Sequence, residues 1–306
     1  MSRTLLVTGG AGFIGSHLVD SLLADGHPVR VLDDLSTGRR DQVNARAEFV
    51  CGDVADPATV ARAMAGAGAV FHLAAVASVQ RCTEHWAASH RTNQSATILL
   101  LEAARTAGCV PVVYASSAAV YGDTGGAVAQ EDLAPDPCTA YGVDKLGSEL
   151  HARLGTHIHR VPTLGLRFFN VYGPRQDAAS PYSGVISIFA RRLAEGRPLL
   201  LYGDGTQTRD FVHVADVVAH LRAAMDRLCH TPAASGRVLN VCTGRAVSVR
   251  TLAALLGDLR GVVPVLQAAP PRRGDILRSC GGPERATAAL GLRATIPLEH
   301  GLATLD

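Results

Sequence analysis

The sequence predicts an α/β protein: a doubly wound parallel sheet covered by helices, with a smaller C-terminal α/β substrate domain. Three observations predict it. Short apolar runs alternate with amphipathic helical stretches through the first half of the chain. A glycine-rich turn, Gly9 to Gly15, joins the first run to the first helix. The second run ends in Asp33-Asp34, with Asp33 standing 18 residues after Gly15.

Leu5-Leu6-Val7, ended by glycines, reads as a buried parallel strand. The helix after it places Ile14, Leu18, Leu22 and Leu23 on one face. Gly9, Gly12 and Gly15 suit a tight turn, a close backbone approach and close helix packing, so that a pyrophosphate can rest on the helix N-terminus. An acid closing the second strand, Val29 to Leu32, accepts from adenosine ribose hydroxyls and repels a 2′-phosphate, which selects NAD over NADP. Glu48 to Cys51 and Ala69 to Leu73 read as further strands, and Asp56-Pro57 as an N-cap and first helical residue. A helical stretch runs from about Trp86 to Thr106, where Trp86 and the apolar face suit core or dimer packing. Pro111 to Ala115 is the fifth strand; Ser116, Ser117 and Tyr121 follow it, where side chains project into a cofactor crevice. Residues 122–138, rich in Gly, Asp and Pro, form a loop before the next helix.

That helix carries Tyr141 and Lys145, and Lys145 is the only lysine in 306 residues, the other 28 of the 29 cations being arginine. Four residues apart on a helix, the two side chains share a face. A cation beside a phenol favours the phenolate, so the pair suits a base that works near neutral pH.

The formal charge of +2, with 18% charged residues, points to neither nucleic acid nor a membrane surface. Seven scattered cysteines without a CxxC argue for reduced thiols in a cytoplasmic protein and against a disulfide framework. The 12 histidines follow no metal-ligand spacing, so no metal is expected. No segment reaches the ~18 uninterrupted apolar residues of a spanning helix.

Thr8–Gly15, Asp53-Val54, His72–Ala75, Asn93, Ser116-Ser117, Tyr141 and Lys145 together resemble the extended short-chain dehydrogenases/reductases of Rossmann fold. Leu166–Arg175 (LRFFNVYGPR), Tyr202–His213 and Pro271–Asp275 are similar to their NAD-dependent epimerase/dehydratase branch, most closely the UDP-glucose 4-epimerases. The resemblance implies a catalytic trio of Ser117, Tyr141 and Lys145. It implies an NAD site lined by Gly9, Gly12, Phe13, Ile14, Asp33, Asp34, Asp53, Val54, Leu73, Ala74, Ala75, Asn93, Ser116, Tyr141, Lys145 and Phe169; Asn93 also suits a buried structural amide. Ser117, Tyr141, Asn170, Tyr202, Arg209, Arg272, Asp275 and Ser279 would hold a nucleotide-diphosphate sugar, with Ser279 beside C2 of the ring. For Arg175, Arg273 and Arg278 a solvated surface position is the better reading. The implied organisation is an NAD-binding domain over 1–170 plus about 205–245, a nucleotide-sugar domain over about 171–204 and 246–306, and a homodimer paired through helices near 86–106 and 140–155.

Two departures stand out. Asp144 occupies a place where the family pattern has a small serine, and, as the neighbour of Lys145, would point off the shared face. Gln80-Arg81-Cys82 replaces a more usual Pro-Arg-Ser run. After Ser117, Ala118-Ala119 lack the Asp-Glu pair of the 4,6-dehydratases and the Glu of the decarboxylases, which leaves C4 epimerisation of UDP-glucose and UDP-galactose, or of the 2-acetamido pair. The alternatives are a UDP-glucuronate 4-epimerase, disfavoured by Asn170 and Asp177, a reductase that releases its cofactor, and a non-catalytic dinucleotide sensor, disfavoured by the retained Tyr141 and Lys145.

Overall fold

The computed structural model describes residues 3–177, 184–231, 235–270 and 276–305. The chain opens as β1 (Thr4–Thr8), α1 (Phe13–Ala24), β2 (Val29–Asp33), β3 (Glu48–Cys51), α2 (Pro57–Met64) and β4 (Ala67–His72). Asp56 caps α2 by accepting from the Thr59 amide at 2.9 Å, with Pro57 in its first turn. There follow α3 (Val79–Glu84), α4 (Trp86–His90), a π-helical turn Arg91–Ser95, α5 (Ala96–Thr106), β5 (Val112–Ser117), α6 (Ala140–His159) and β6 (Thr163–Phe168). The expected long helix is therefore three joined pieces, wound wide in the middle.

After β7 (Asn170–Tyr172) come α7 (Val185–Ala194), β8 (Leu199–Tyr202), β9 (Thr208–His213), α8 (Val214–His230), β10 (Arg237–Val241), β11 (Ala246–Ser248), α9 (Val249–Leu259), β12 (Leu266–Ala269), α10 (Glu284–Leu290) and α11 (Leu298–Leu302). Seven strands form one sheet in the order β10-β6-β5-β4-β1-β2-β3, and every pairing in it is parallel. Helices cover both faces, which is why successive residues such as Leu6 and Val7 are both fully buried. One apolar core lies between this sheet and α1 and α8, and the other between it and α2, α5 and α6. A second lobe packs a parallel pair, β12-β8, and a three-stranded sheet, β11-β9-β7, around Tyr172, Phe189, Leu199 and Leu252.

The strand order fixes where a ligand can sit. The chain runs from β1 outward through β2 to β3, then returns to the other side of β1 as β4. The loops after β1 and β4 thus diverge and open a crevice at the carboxyl ends of the strands. No helix of the described residues is long and apolar enough to cross a membrane.

Candidate active site

A cleft of about 2030 Å³ occupies that crevice and continues between the sheet and the second lobe. Its floor is the glycine turn. Gly9 has φ +70°, and a Cβ on Gly15 would stand 2.1 Å from the Gly9 carbonyl oxygen, so only glycine lets α1 start this close to β1. Asp33 sits alongside: one carboxylate oxygen accepts the Ala11 amide and the other the Leu35 amide, both at 2.9 Å. Burial pushes its carboxyl up, and these two hydrogen bonds oppose the rise.

The turn after β4 is held from behind. The Leu73 and Ala74 amides donate to Thr8 Oγ1 at 3.2 Å, and Thr8 Oγ1 meets His72 Nδ1 at 2.8 Å. His72 Nε2 meets Thr97 Oγ1 at 3.2 Å, and Thr97 donates to the Asn93 carbonyl. Burial, with Lys145 adding to it, pulls the imidazole down to about 3, so it stays a neutral link in this chain.

Ser117 ends β5, and Tyr141 and Lys145 face it from the first turns of α6, whose N-cap Thr139 accepts the Gly142 amide at 3.1 Å. The Ser117 hydroxyl lies beside the Tyr141 phenol, and accepts the Ala119 amide at 3.1 Å. The Lys145 amine is buried, donates to the Ala115 carbonyl at 2.9 Å, and lies 5.7 Å from the centre of the Tyr141 ring. A phenol lowered by its lysine is not what the protein alone shows. Burial pushes Tyr141 up to about 12, with the Ser117 hydroxyl pulling the other way. Desolvation outweighs a cation that addresses the ring rather than the oxygen. Burial also pulls Lys145 down to about 8, opposed by Cys82, Asp144 and Glu149.

Behind the trio, Arg167 of β6 grips Glu149 of α6 with two hydrogen bonds of 2.8 and 2.7 Å, both residues being buried. Ser116 donates to the same carboxylate at 2.5 Å, and the guanidinium lies 4.7 Å over the Tyr121 ring. Tyr121 donates to Asn240 Oδ1 at 2.7 Å. These bonds tie α6 to β5, β6 and β10.

Most of the residues expected at a cofactor and sugar site line this one cleft: Gly9, Gly12, Phe13, Ile14, Asp33, Asp34, Val54, Leu73, Ala74, Ala75, Ser116, Ser117, Tyr141, Lys145, Phe169, Asn170, Tyr202, Arg209 and Ser279. Two stand off its wall. Asp53 turns to Arg91 at 2.8 Å and the Ala55 amide. Asn93 is a buried amide on the π-helical turn, and its Oδ1 and Nδ2 pin both backbone groups of Val76. Arg272 and Asp275 lie outside the described residues. Arg175 and Arg278, read as surface cations, line the cleft; Arg175 also pairs with Asp20 at 2.7 Å. Trp86 is 67% exposed and so forms no part of the core. The loop Leu35 to Arg39 after β2 also lines the cleft, and its place at a strand's carboxyl end was the available signal.

A parallel sheet with this switch point and glycine turn, joined to a Ser-Tyr-Lys trio, defines a class. The model of the NAD dependent epimerase/dehydratase family matches residues 5–242, and the chain belongs to that family. Among its relatives, a UDP-glucose 4-epimerase of Mycolicibacterium smegmatis is 39% identical over 306 residues, covering 97% of this chain and 96% of its own. A Thermotoga maritima UDP-glucose 4-epimerase solved with UDP-glucose superimposes with a TM-score of 0.94 at 34% identity, covering 98% of this chain and 96% of its own. The Thermus thermophilus UDP-glucose 4-epimerase complex with NAD gives 0.90 at 36% identity, covering 98% and 97%. The residues present fit NAD: the turn closes so tightly that a Cβ at Gly15 would strike the Gly9 carbonyl, which sets the N-terminus of α1 at the cleft floor, and Asp33 is fixed beside it with lone pairs left for ribose hydroxyls.

Proposed function

We propose that this protein is an NAD-dependent C4 epimerase of UDP-sugars, interconverting UDP-glucose and UDP-galactose through a 4-keto sugar. One observation carries the choice within the family. Ala118 and Ala119 wall the cleft immediately after Ser117, where elimination or decarboxylation needs a carboxylate. Asp177, also on the wall, disfavours a sugar that carries its own carboxylate.

In this reading Gly9, Gly12, Phe13, Ile14, Asp33 and the Leu73–Ala75 turn hold NAD. NAD supplies the hydride acceptor and donor, and a positively charged ring that adds to Lys145 in favouring the Tyr141 phenolate. Tyr141 takes the proton from the sugar 4-hydroxyl and returns it once the sugar has turned over; Ser117 orients that hydroxyl. Asn170, Tyr202 and Arg209 hold the nucleotide end, with Arg272 and Asp275 assigned the same task, because the sugar turns while its diphosphate stays clamped. The lobe made by about 171–204 and 246–306 is then the nucleotide-sugar domain. Incubation with UDP- and dTDP-sugars without added cofactor, read by NMR, tests the proposal. Interconversion of the UDP-glucose pair supports it; no turnover of that pair by protein containing NAD overturns it.

Ser279 faces the cleft on the segment that donates its amide to the Thr208 carbonyl at 3.2 Å. A residue this small leaves room for a 2-acetamido group, so the UDP-GlcNAc/GalNAc pair should also be turned over. Ser279→Tyr should abolish only that activity, since overfilling a pocket penalises the larger substrate. Equal losses in kcat/KM on both pairs would remove the gate.

The homodimer is supported by an apolar stripe on α6. Val143, Leu150, Leu154 and Ile158 share one face and are 48–65% exposed, and Trp86 is exposed on α4, which packs against α6. Two copies meeting there would make a four-helix bundle. Light scattering at micromolar concentration should give twice the chain mass, and a monomeric mass refutes the pairing. A cytoplasmic location is supported by seven free cysteines. Cell fractionation tests it.

A further inference from the structure

Asp144 leaves the Tyr141–Lys145 face, as a helical neighbour about 100° away must. It does not reach water. Its side chain is buried in the seam between α4 and α6, with the whole residue 1% exposed. There Oδ1 meets His90 Nδ1 at 2.7 Å, while Oδ2 is buried with no hydrogen-bond partner among the described residues. His90 closes α4 directly before the π-helical turn that carries Asn93, so the pair pins that turn to the helix of the trio.

A buried carboxylate with one hydrogen bond is costly unless a cation compensates it. Two partners are available. His90 is half exposed and supplies the one hydrogen bond. Lys145, the next residue, is buried, and its amine makes one hydrogen bond among the described residues. The amine therefore needs a counter-charge as much as the carboxylate does. The other ionisable groups around Lys145 do not supply one freely. Glu149 is already neutralised by the two-pronged grip of Arg167. Burial pushes the Cys82 thiol up, so its pull on the amine arises only as it ionises in alkali, and burial holds His72 neutral. Tyr141 is a neutral phenol in the protein alone.

We propose that Asp144, anchored by His90, is a positioning residue for the reaction: the fixed counter-charge that keeps the Lys145 amine in its charged form. This rests on Lys145 being the cation of the Tyr141 site.

The lone lysine makes the test direct. Protein grown with ¹³C-lysine carries one lysine side-chain signal, and its titration in the NAD-bound protein reads Lys145 without reference to turnover. In Asp144→Asn the midpoint should fall by about one pH unit, and the alkaline limb of kcat/KM should move with it. Asp144→Ser should shift it likewise, and Asp144→Glu should restore most of the wild-type midpoint. A lysine midpoint unmoved in folded Asp144→Asn or Asp144→Ser overturns the proposal. If no sugar is turned over, the epimerase reading fails, yet the lysine signal still decides the role of Asp144. The alkaline limb is not loss of fold. The Lys145 proton is held less tightly in the folded chain than in the unfolded one, so this group's contribution to stability rises as pH climbs from about 8 to the ordinary 10.5. A melting temperature followed across the same window separates the two.

Discussion

Lys145→Arg should lower kcat by about 10²-fold or more, although it conserves the charge. The amine occupies a closed position: the residue is 5% exposed, bonded to the Ala115 carbonyl and packed near the Tyr141 ring. A guanidinium brings a planar fork of five donors where the site offers a point charge one carbonyl acceptor among the described residues. It must either displace the β5 backbone or swing away from the phenol. Cofactor content should be measured alongside, so that a lost cofactor is not read as lost chemistry. Turnover within about threefold of wild type, with cofactor bound, would remove the assigned role of the lone lysine.

Glu149→Ala should destabilise the protein by about 3–5 kcal/mol, the usual cost of stranding one partner of a buried ion pair. For a chain of this length that is roughly a 6–10 °C fall in melting temperature. The Arg167 guanidinium would lose both of its carboxylate bonds while still held between Tyr121 and the Glu131 carbonyl. Replacing both members, as in Glu149→Leu with Arg167→Met, should cost less than Glu149→Ala alone, because no charge is left buried. A melting temperature within about 2 °C of wild type for Glu149→Ala would show that water reaches the pair.

Local pattern made the sheet legible. Short apolar runs marked β1, β4 and β5, the first of them ended by glycines, and the acid ending β2 lies beside the glycine turn as its spacing implied. Burial was not legible in the same way. From Tyr141 and Lys145 as a helical pair one expects a lowered phenol, but the seam around them removes water and dominates. Asp53 and Asn93 carry the right residue types, yet their side chains are engaged by Arg91 and Val76. The Asp144–His90 pair joins positions 54 apart, which no local pattern connects. Arg167 could have been flagged: a lone cation inside the run Thr163–Phe168, fully buried throughout, has to find an anion. Asp144 was noticed only as an oddity of sequence, and its burial gives it meaning.

The place of β10 at the sheet's rim bears on how the chain emerges during synthesis. Its pairing partner β6 is complete at Phe168, but Arg237, which pairs with Leu164, follows only after α7, β8, β9 and α8 have been made. Until then β6 stands as an open edge, apolar at Leu164, Leu166 and Phe168, the kind of surface that recruits stray strands. Closing it also requires a long loop to be drawn in, although that entropy grows only slowly with length. Half of the second lobe is thus translated before the first sheet can be sealed, and the two parts mature together rather than in turn.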